Sequence, residues 1–223
     1  MKEKPAKQAA KTTRAVRIPA GEVTLEGELA VPESAQGIVL FAHGSGSSRH
    51  SPRNQFVAEA IRSKGVGTLL FDLLTKDEEA SDERTRQLRF DIGLLAERLL
   101  DATDWIKRQD DTANLRAGYF GASTGGGAAL VAAAEIGEEI GAVISRGGRP
   151  DLARAALSRV ISPTLLIVGG LDGMVIELNQ EALAKLRCKK ELKILPGATH
   201  LFEEPGKLEE VSRLAADWFH QYL

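Results

Sequence analysis

The sequence predicts an α/β fold: a mainly parallel sheet with helices on both faces. Three observations carry this. Six short, mostly apolar runs recur along the chain, each the length of a strand buried on both faces. Between them lie stretches whose apolar residues fall at spacings of three and four, the period of a helix face. The two kinds alternate, which implies crossover connections and parallel pairing.

The elements follow in order. Residues 1–12 read as a flexible basic arm, with the charge of a signal peptide but no apolar segment behind it. Residues 13–223 read as a single domain, a length that buries a sizeable core. "EVTLEGELAV" (Glu22–Val31) alternates and reads as an early strand. Gly37–His43, Gly65–Asp72, Leu115–Phe120, Gly141–Arg146, Thr164–Gly169 and Glu191–Leu195 are the six apolar runs. Leu88, Ile92, Leu95, Leu99, Ala102 and Ile106 lie on one helical face, and Leu208, Val211, Ala215, Trp218 and Tyr222 repeat the pattern at the end. "TKDEEASDERT" (Thr75–Thr85) reads as a solvated charged loop. About 18 residues separate Ile144 from Pro163, too few for a cap domain with its connections, so the site is expected to be open.

Composition narrows the function. Charged residues make up 27% and no run approaches 18 apolar residues, so a soluble protein is expected rather than one spanning a bilayer. A net charge of −2 gives no electrostatic case for nucleic acid or an anionic membrane as partner. The lone Cys188 admits no internal disulfide, which fits a reducing, cytoplasmic setting.

Ligands of such sheets bind at the carboxyl ends of the strands. After Leu115–Phe120 comes "GASTGGGAAL", in which Gly121-Ala122-Ser123-Thr124-Gly125 matches G-x-S-x-G between a strand and a helix. That context is what a nucleophile elbow requires: a serine on a tight, strained turn, glycines leaving it room, and a helix N-terminus favouring a developing oxyanion. The alternative is a small-residue helix–strand contact in which Ser123 is a simple N-cap. Asp172 stands in the Gly-rich turn after Thr164–Gly169, where an Asx-turn role is the alternative. His200 stands in "LPGATHLF", between the last strand and the last helix. The order Ser123, Asp172, His200 is that of a hydrolase triad on an α/β sheet. Asp72, which ends an earlier strand, is the rival acid.

The chain resembles the α/β-hydrolase superfamily, and within it the dienelactone hydrolase family. The likeness runs from about Val23 onward and rests on "FAHGSGSS", "GASTGGGAAL", the Gly169–Val175 run and "GATHLF". It implies a compact α/β-hydrolase fold. It also implies a hydrolase without a cofactor that acts on esters, lactones or related acyl compounds. The namesake enzymes carry a cysteine nucleophile activated by a glutamate. Here that position is Ser123, and "HGSGS" supplies no acidic residue.

The roles follow. A serine hydroxyl needs a base, and a histidine, ordinarily titrating near 6.5, serves at neutral pH. His200 is assigned as that base, and Asp172 orients it. The backbone N–H of Thr124 is one oxyanion donor; Ser45, with Gly44 in reserve, supplies the other by its likeness to H-G-x loops. His43 shapes that loop. Cys188 precedes a strand, which puts it at the far edge, and the histidines show no metal-ligand spacing. The expected partner is a small acyl substrate. An anionic group on it would be held by Arg49 or Arg146, arginines that otherwise tie loops together, for example by pairing with Asp72. Thioesterase, peptidase or acyltransferase chemistry uses the same triad, and a non-catalytic ligand-binding homologue is the reading from another class.

Overall fold

A computed structural model describes residues 12–223. The arm expected over residues 1–12 lies outside the described residues except for Thr12, which already begins a strand. The eight strands are β1 (Thr12–Ala20), β2 (Val23–Val31), β3 (Gly37–Ala42), β4 (Gly67–Phe71), β5 (Arg116–Ala122), β6 (Ile140–Arg146), β7 (Thr164–Gly169) and β8 (Lys190–Leu195). They form one sheet in the order β1-β2-β4-β3-β5-β6-β7-β8. β1 and β2 pair antiparallel, as do β2 and β4; every other pairing is parallel. The fold is therefore the mainly parallel α/β-hydrolase sheet that the sequence predicts.

β1 is the strand the apolar runs did not disclose. Its Val16, Ile18 and Ala20 are buried while Arg17 and Pro19 face outward, the period-two pattern of an edge strand covered on one face. β3, β4, β6 and β7 are buried at every position, as a sheet covered on both sides demands.

The described residues form six α-helices, α1 (Pro52–Ser63), α2 (Lys76–Thr85), α3 (Ile92–Ile106), α4 (Thr124–Ile136), α5 (Gly173–Lys185) and α6 (Lys207–Tyr222), and all but α2 supply that cover. α1 and α6 pack together on one face. α3 and α4 pack on the other, with part of α5 and the 3₁₀ stretch Pro150–Arg159. That short stretch is all that lies between β6 and β7 in place of a cap domain. The Leu95, Leu99, Ala102 and Ile106 stripe of α3 is buried, each large side chain contributing about 1.5–3 kcal/mol. Below Ser123, the hydroxyls of Thr103 and Tyr119 lie 2.7 Å apart and tie α3 to β5.

α2 corrects the expectation of a solvated loop. Thr75 and Glu78 form a complete capping box, and Asp77, Glu78 and Glu79 stand in the first turn, where the helix dipole favours acids. Two ion pairs then hold the helix down. Arg98 of α3 reaches Glu78 at 3.0 Å and the Ala20 carbonyl at 2.6 Å, and Arg89 reaches Asp82.

At the edge where the parallel strands begin, Leu223 seats against glycines. A Cβ on Gly118 would come within 3.0 Å of its Cδ1, and one on Gly141 within 2.6 Å of its Cδ2.

Candidate active site

The chain runs from β3 outward to β4, then returns to β5 on the other side of β3. The strand order reverses between β3 and β5, and a crevice opens there at the carboxyl ends. The loops after β3, β5, β7 and β8 carry Ser45, Ser123, Asp172 and His200. The fold thus brings to one edge the residues that the sequence reading singled out.

Ser123 has φ 50° and ψ −121°, a conformation that costs a non-glycine residue of order 1–3 kcal/mol. Its neighbours hold it there. The Ser123 N–H donates to the Arg146 carbonyl (3.3 Å), and its own carbonyl accepts from the N–H groups of Gly126 and Arg149, both at 3.0 Å. The glycines explain themselves by close approach. A Cβ on Gly121 would run into the Gly125 carbonyl, and one on Gly125 into the carbonyl of Ala42. Ser123 makes no side-chain cap, so the N-cap alternative does not describe it.

Asp172 Oδ2 lies 2.7 Å from His200 Nδ1. That contact puts the ring proton on Nδ1 and leaves Nε2 as the basic nitrogen. Two backbone bonds zip the Asp172 and His200 loops together: Gly170 N–H to Leu195 O (2.8 Å) and Leu171 N–H to Ala198 O (2.9 Å). His200 also lies against the turn that supports Ser123, since a Cβ on Gly147 would sit 3.1 Å from the His200 carbonyl. No hydrogen bond joins Ser123 to His200 among the described residues; a general base and its nucleophile often close to bonding distance only in the Michaelis complex.

Ser45 and Thr124 meet beside the serine. Their hydroxyl oxygens are 3.1 Å apart, and Ser45 Oγ donates onward to the Arg89 carbonyl (3.4 Å). His43 fixes the peptide between Gly44 and Ser45. Burial holds its imidazole below the ordinary histidine range against the opposing bond to Gly44, so the ring is neutral. Nε2 accepts from the Leu73 N–H (3.0 Å), so Nδ1 carries the proton and donates to the Gly44 carbonyl (3.0 Å). Ser47 N–H donates to the same carbonyl (3.2 Å). In a trans peptide the N–H points opposite to the carbonyl, so pinning Gly44 O aims the Ser45 N–H the other way. Gly44 itself lies against Ser123: a Cβ there would come within 2.9 Å of Ser123 Cβ.

The arginines are placed differently. Arg49 is held by Asp72, through both its backbone N–H (2.7 Å) and its guanidinium, and by Glu26 (2.8 Å). It ties the β3 loop to β4 and β2, so the expectation that it holds a substrate anion is corrected: two carboxylates already occupy it. Asp72, the rival acid, is spent in the same pair. Arg146 is 7% exposed and points among Asn54 (3.3 Å) and the Phe202 ring (5.9 Å). Its Nε and Nη1 are buried without partners. Burial, reinforced by Arg53, pulls its pKa down to about 10. Cys188 sits near Thr164 at the start of β7, at the far edge.

A cavity of about 230 Å³ adjoins Ser45 and Thr124, walled by residues 43–47, Leu73, Leu74, Leu95, α2 and Arg89. The wall formed by α2 is the part of the site that sequence reasoning missed. Its signal was the Thr75-x-x-Glu78 capping box.

The comparisons with known proteins agree with this fold. The model of the dienelactone hydrolase family matches residues 25–223. A dienelactone hydrolase from Anabaena variabilis is 61% identical, with a TM-score of 0.94, covering 96% of this chain and 99% of that one. The dienelactone hydrolase-like promiscuous phosphotriesterase P91 from metagenomic libraries is 19% identical, with a TM-score of 0.78 over 96% of this chain and 99% of that one; it shares the fold. Two Mycobacterium tuberculosis proteins named phosphoribosyl transferase, from strains CDC 1551 and H37Rv, are each 60% identical over 208 residues. The match takes in 93% of this chain and 46% of theirs, so the chain spans about half the length of these curated relatives.

Proposed function

The chain belongs to the dienelactone hydrolase family, a family of hydrolases, and we propose that this member cleaves a carboxylic ester or lactone with Ser123 as nucleophile, His200 as base and Asp172 as orienting acid. The observation that carries the reading is the 2.7 Å contact of His200 with Asp172 beside a serine held in a strained strand-to-helix turn.

The chemistry runs as follows. Ser123 Oγ attacks the acyl carbon and its proton passes to His200 Nε2. Asp172 keeps the Nδ1 proton in place and balances the imidazolium. The oxyanion accepts from the N–H groups of Thr124 and Ser45, at the positive end of α4; one such donor is worth about 2.7–4 kcal/mol. The imidazolium protonates the leaving alkoxide, giving an acyl-enzyme. Water then attacks, passing its proton to His200, and the serine leaves with that proton. A thioester or an acyl acceptor other than water uses the same steps, so the leaving group and acceptor set the reaction.

The mycobacterial relatives' transferase name belongs to chains about twice as long. The residues here support acyl transfer to water over transfer of a phosphoribosyl group. The test is labelling by a fluorophosphonate together with turnover of a panel of esters, thioesters and lactones. Wild type should label and turn over; Ser123→Ala should fold, fail to label and lose on the order of 10³-fold or more in kcat/KM. Substantial turnover by purified Ser123→Ala would overturn the assignment.

A further inference from the structure

The cavity beside the oxyanion donors carries a chemical signature of its own. Leu73, Leu74 and Leu95 give it apolar walls, and His43 is neutral. Arg89 is the one guanidinium among the described residues that line it, and Asp82 already holds it. Asp82 is in turn satisfied by the N–H groups of Leu88 (2.7 Å) and Arg89 (3.2 Å). Glu79 and Glu83, one turn apart on α2, line the same cavity. Neither has an ion-pair partner among the described residues. The cavity therefore presents two uncompensated carboxylates and no available cation.

The loops that carry Asp172 and His200 add a second observation. Leu171, Met174 and Leu201 are exposed large apolar side chains. Leu171 and Met174 flank Asp172, and Leu201 follows His200. Exposed apolar side chains beside a site favour apolar groups on what docks there. Neither arginine expected to hold an anion lines the cavity.

We propose that the site selects uncharged acyl compounds, neutral esters or lactones with an aryl or short alkyl group seated between Leu73, Leu74 and Leu95, and discriminates against substrates that bring a carboxylate into that cavity. The inference rests on the hydrolase reading above. The size fits: a cavity of about 150 Å³ holds benzene, and this one is about 230 Å³. Glu79 and Glu83 are exposed, so a third carboxylate placed near them is repelled through water, and the repulsion weakens with salt.

The experiment compares phenyl propionate with 4-carboxyphenyl propionate, and phenyl acetate with the hemiester monophenyl succinate, so that the charge is tried on either side of the carbonyl. Wild type, Glu79→Gln/Glu83→Gln and Ser123→Ala are assayed at low and high salt. The neutral member of at least one pair should lead by about tenfold or more in kcat/KM at low salt. That lead should shrink several-fold in the double variant and at high salt. If Ser123-dependent turnover favours the carboxylate ester in both pairs, or if the lead is indifferent to both salt and the double variant, the inference falls while the hydrolase reading stands. If no ester is turned over in a Ser123-dependent way, the two fall together.

Discussion

At the scale of single residues, the site depends on which carboxylate meets the histidine. Asp172→Asn keeps the loop but removes the charge facing His200; kcat should drop by up to about 10⁴-fold with Tm nearly unchanged. Asp72→Asn should do the reverse, lowering Tm while sparing kcat, because it loosens Arg49 and the β3 loop. Paired kinetics and thermal melts decide between them, and the opposite ranking would move the acid to Asp72. Ser123, Asp172 and His200 were legible in the sequence because each follows an apolar run and chain order carries their geometry. Arg49 and Arg146 were not, because an arginine's role is set by what lies across space from it. Glu26, 23 residues upstream of Arg49, gives no local sign of the pairing.

Among the elements, the six apolar runs and the α3 and α6 stripes were legible because burial on one or both faces writes its period into the sequence. β1 was hidden by Arg17 on its outward face, by Arg14 near its start and by the basic residues preceding it. α2 was hidden because it buries only Asp82 and so has no apolar stripe. Its stability comes from its caps and from Arg89 and Arg98. Burial alone would raise the Asp82 carboxyl, but the guanidinium and N–H of Arg89 and the N–H of Leu88 outweigh it and hold the pKa below the usual carboxylate range. A depressed acid stabilises the fold above its unfolded pKa and ceases to as pH falls through the folded one. Asp82→Asn should therefore lower Tm at pH 7 and flatten the loss of stability in acid below about pH 4. Leu99→Ala tests the opposite kind of element: α3 is anchored by its stripe, and denaturant melts should show a loss of about 2–5 kcal/mol.

At the scale of the whole molecule, the titration that bears on stability near neutral pH is that of His43. His43 is buried and neutral, bridging the β3 and β4 loops, whereas in the unfolded chain a histidine takes a proton near pH 6.5. The unfolded state then binds more protons, so stability rises with pH through the window just below 6.5, by at most about 1.4 kcal/mol per unit. Denaturant melts at pH 5, 6 and 7 should show that slope, and His43→Gln should lose it. The seat of Leu223 has a different consequence. The strands of the parallel core run from that seat to the loops that carry Ser123, Asp172 and His200, and β5, with its seven residues, spans roughly 20 Å between them. Anything tethered to the carboxyl end would hang from the back of the sheet. Immobilised there, the chain would offer the edge that bears Ser123 to the bulk solution.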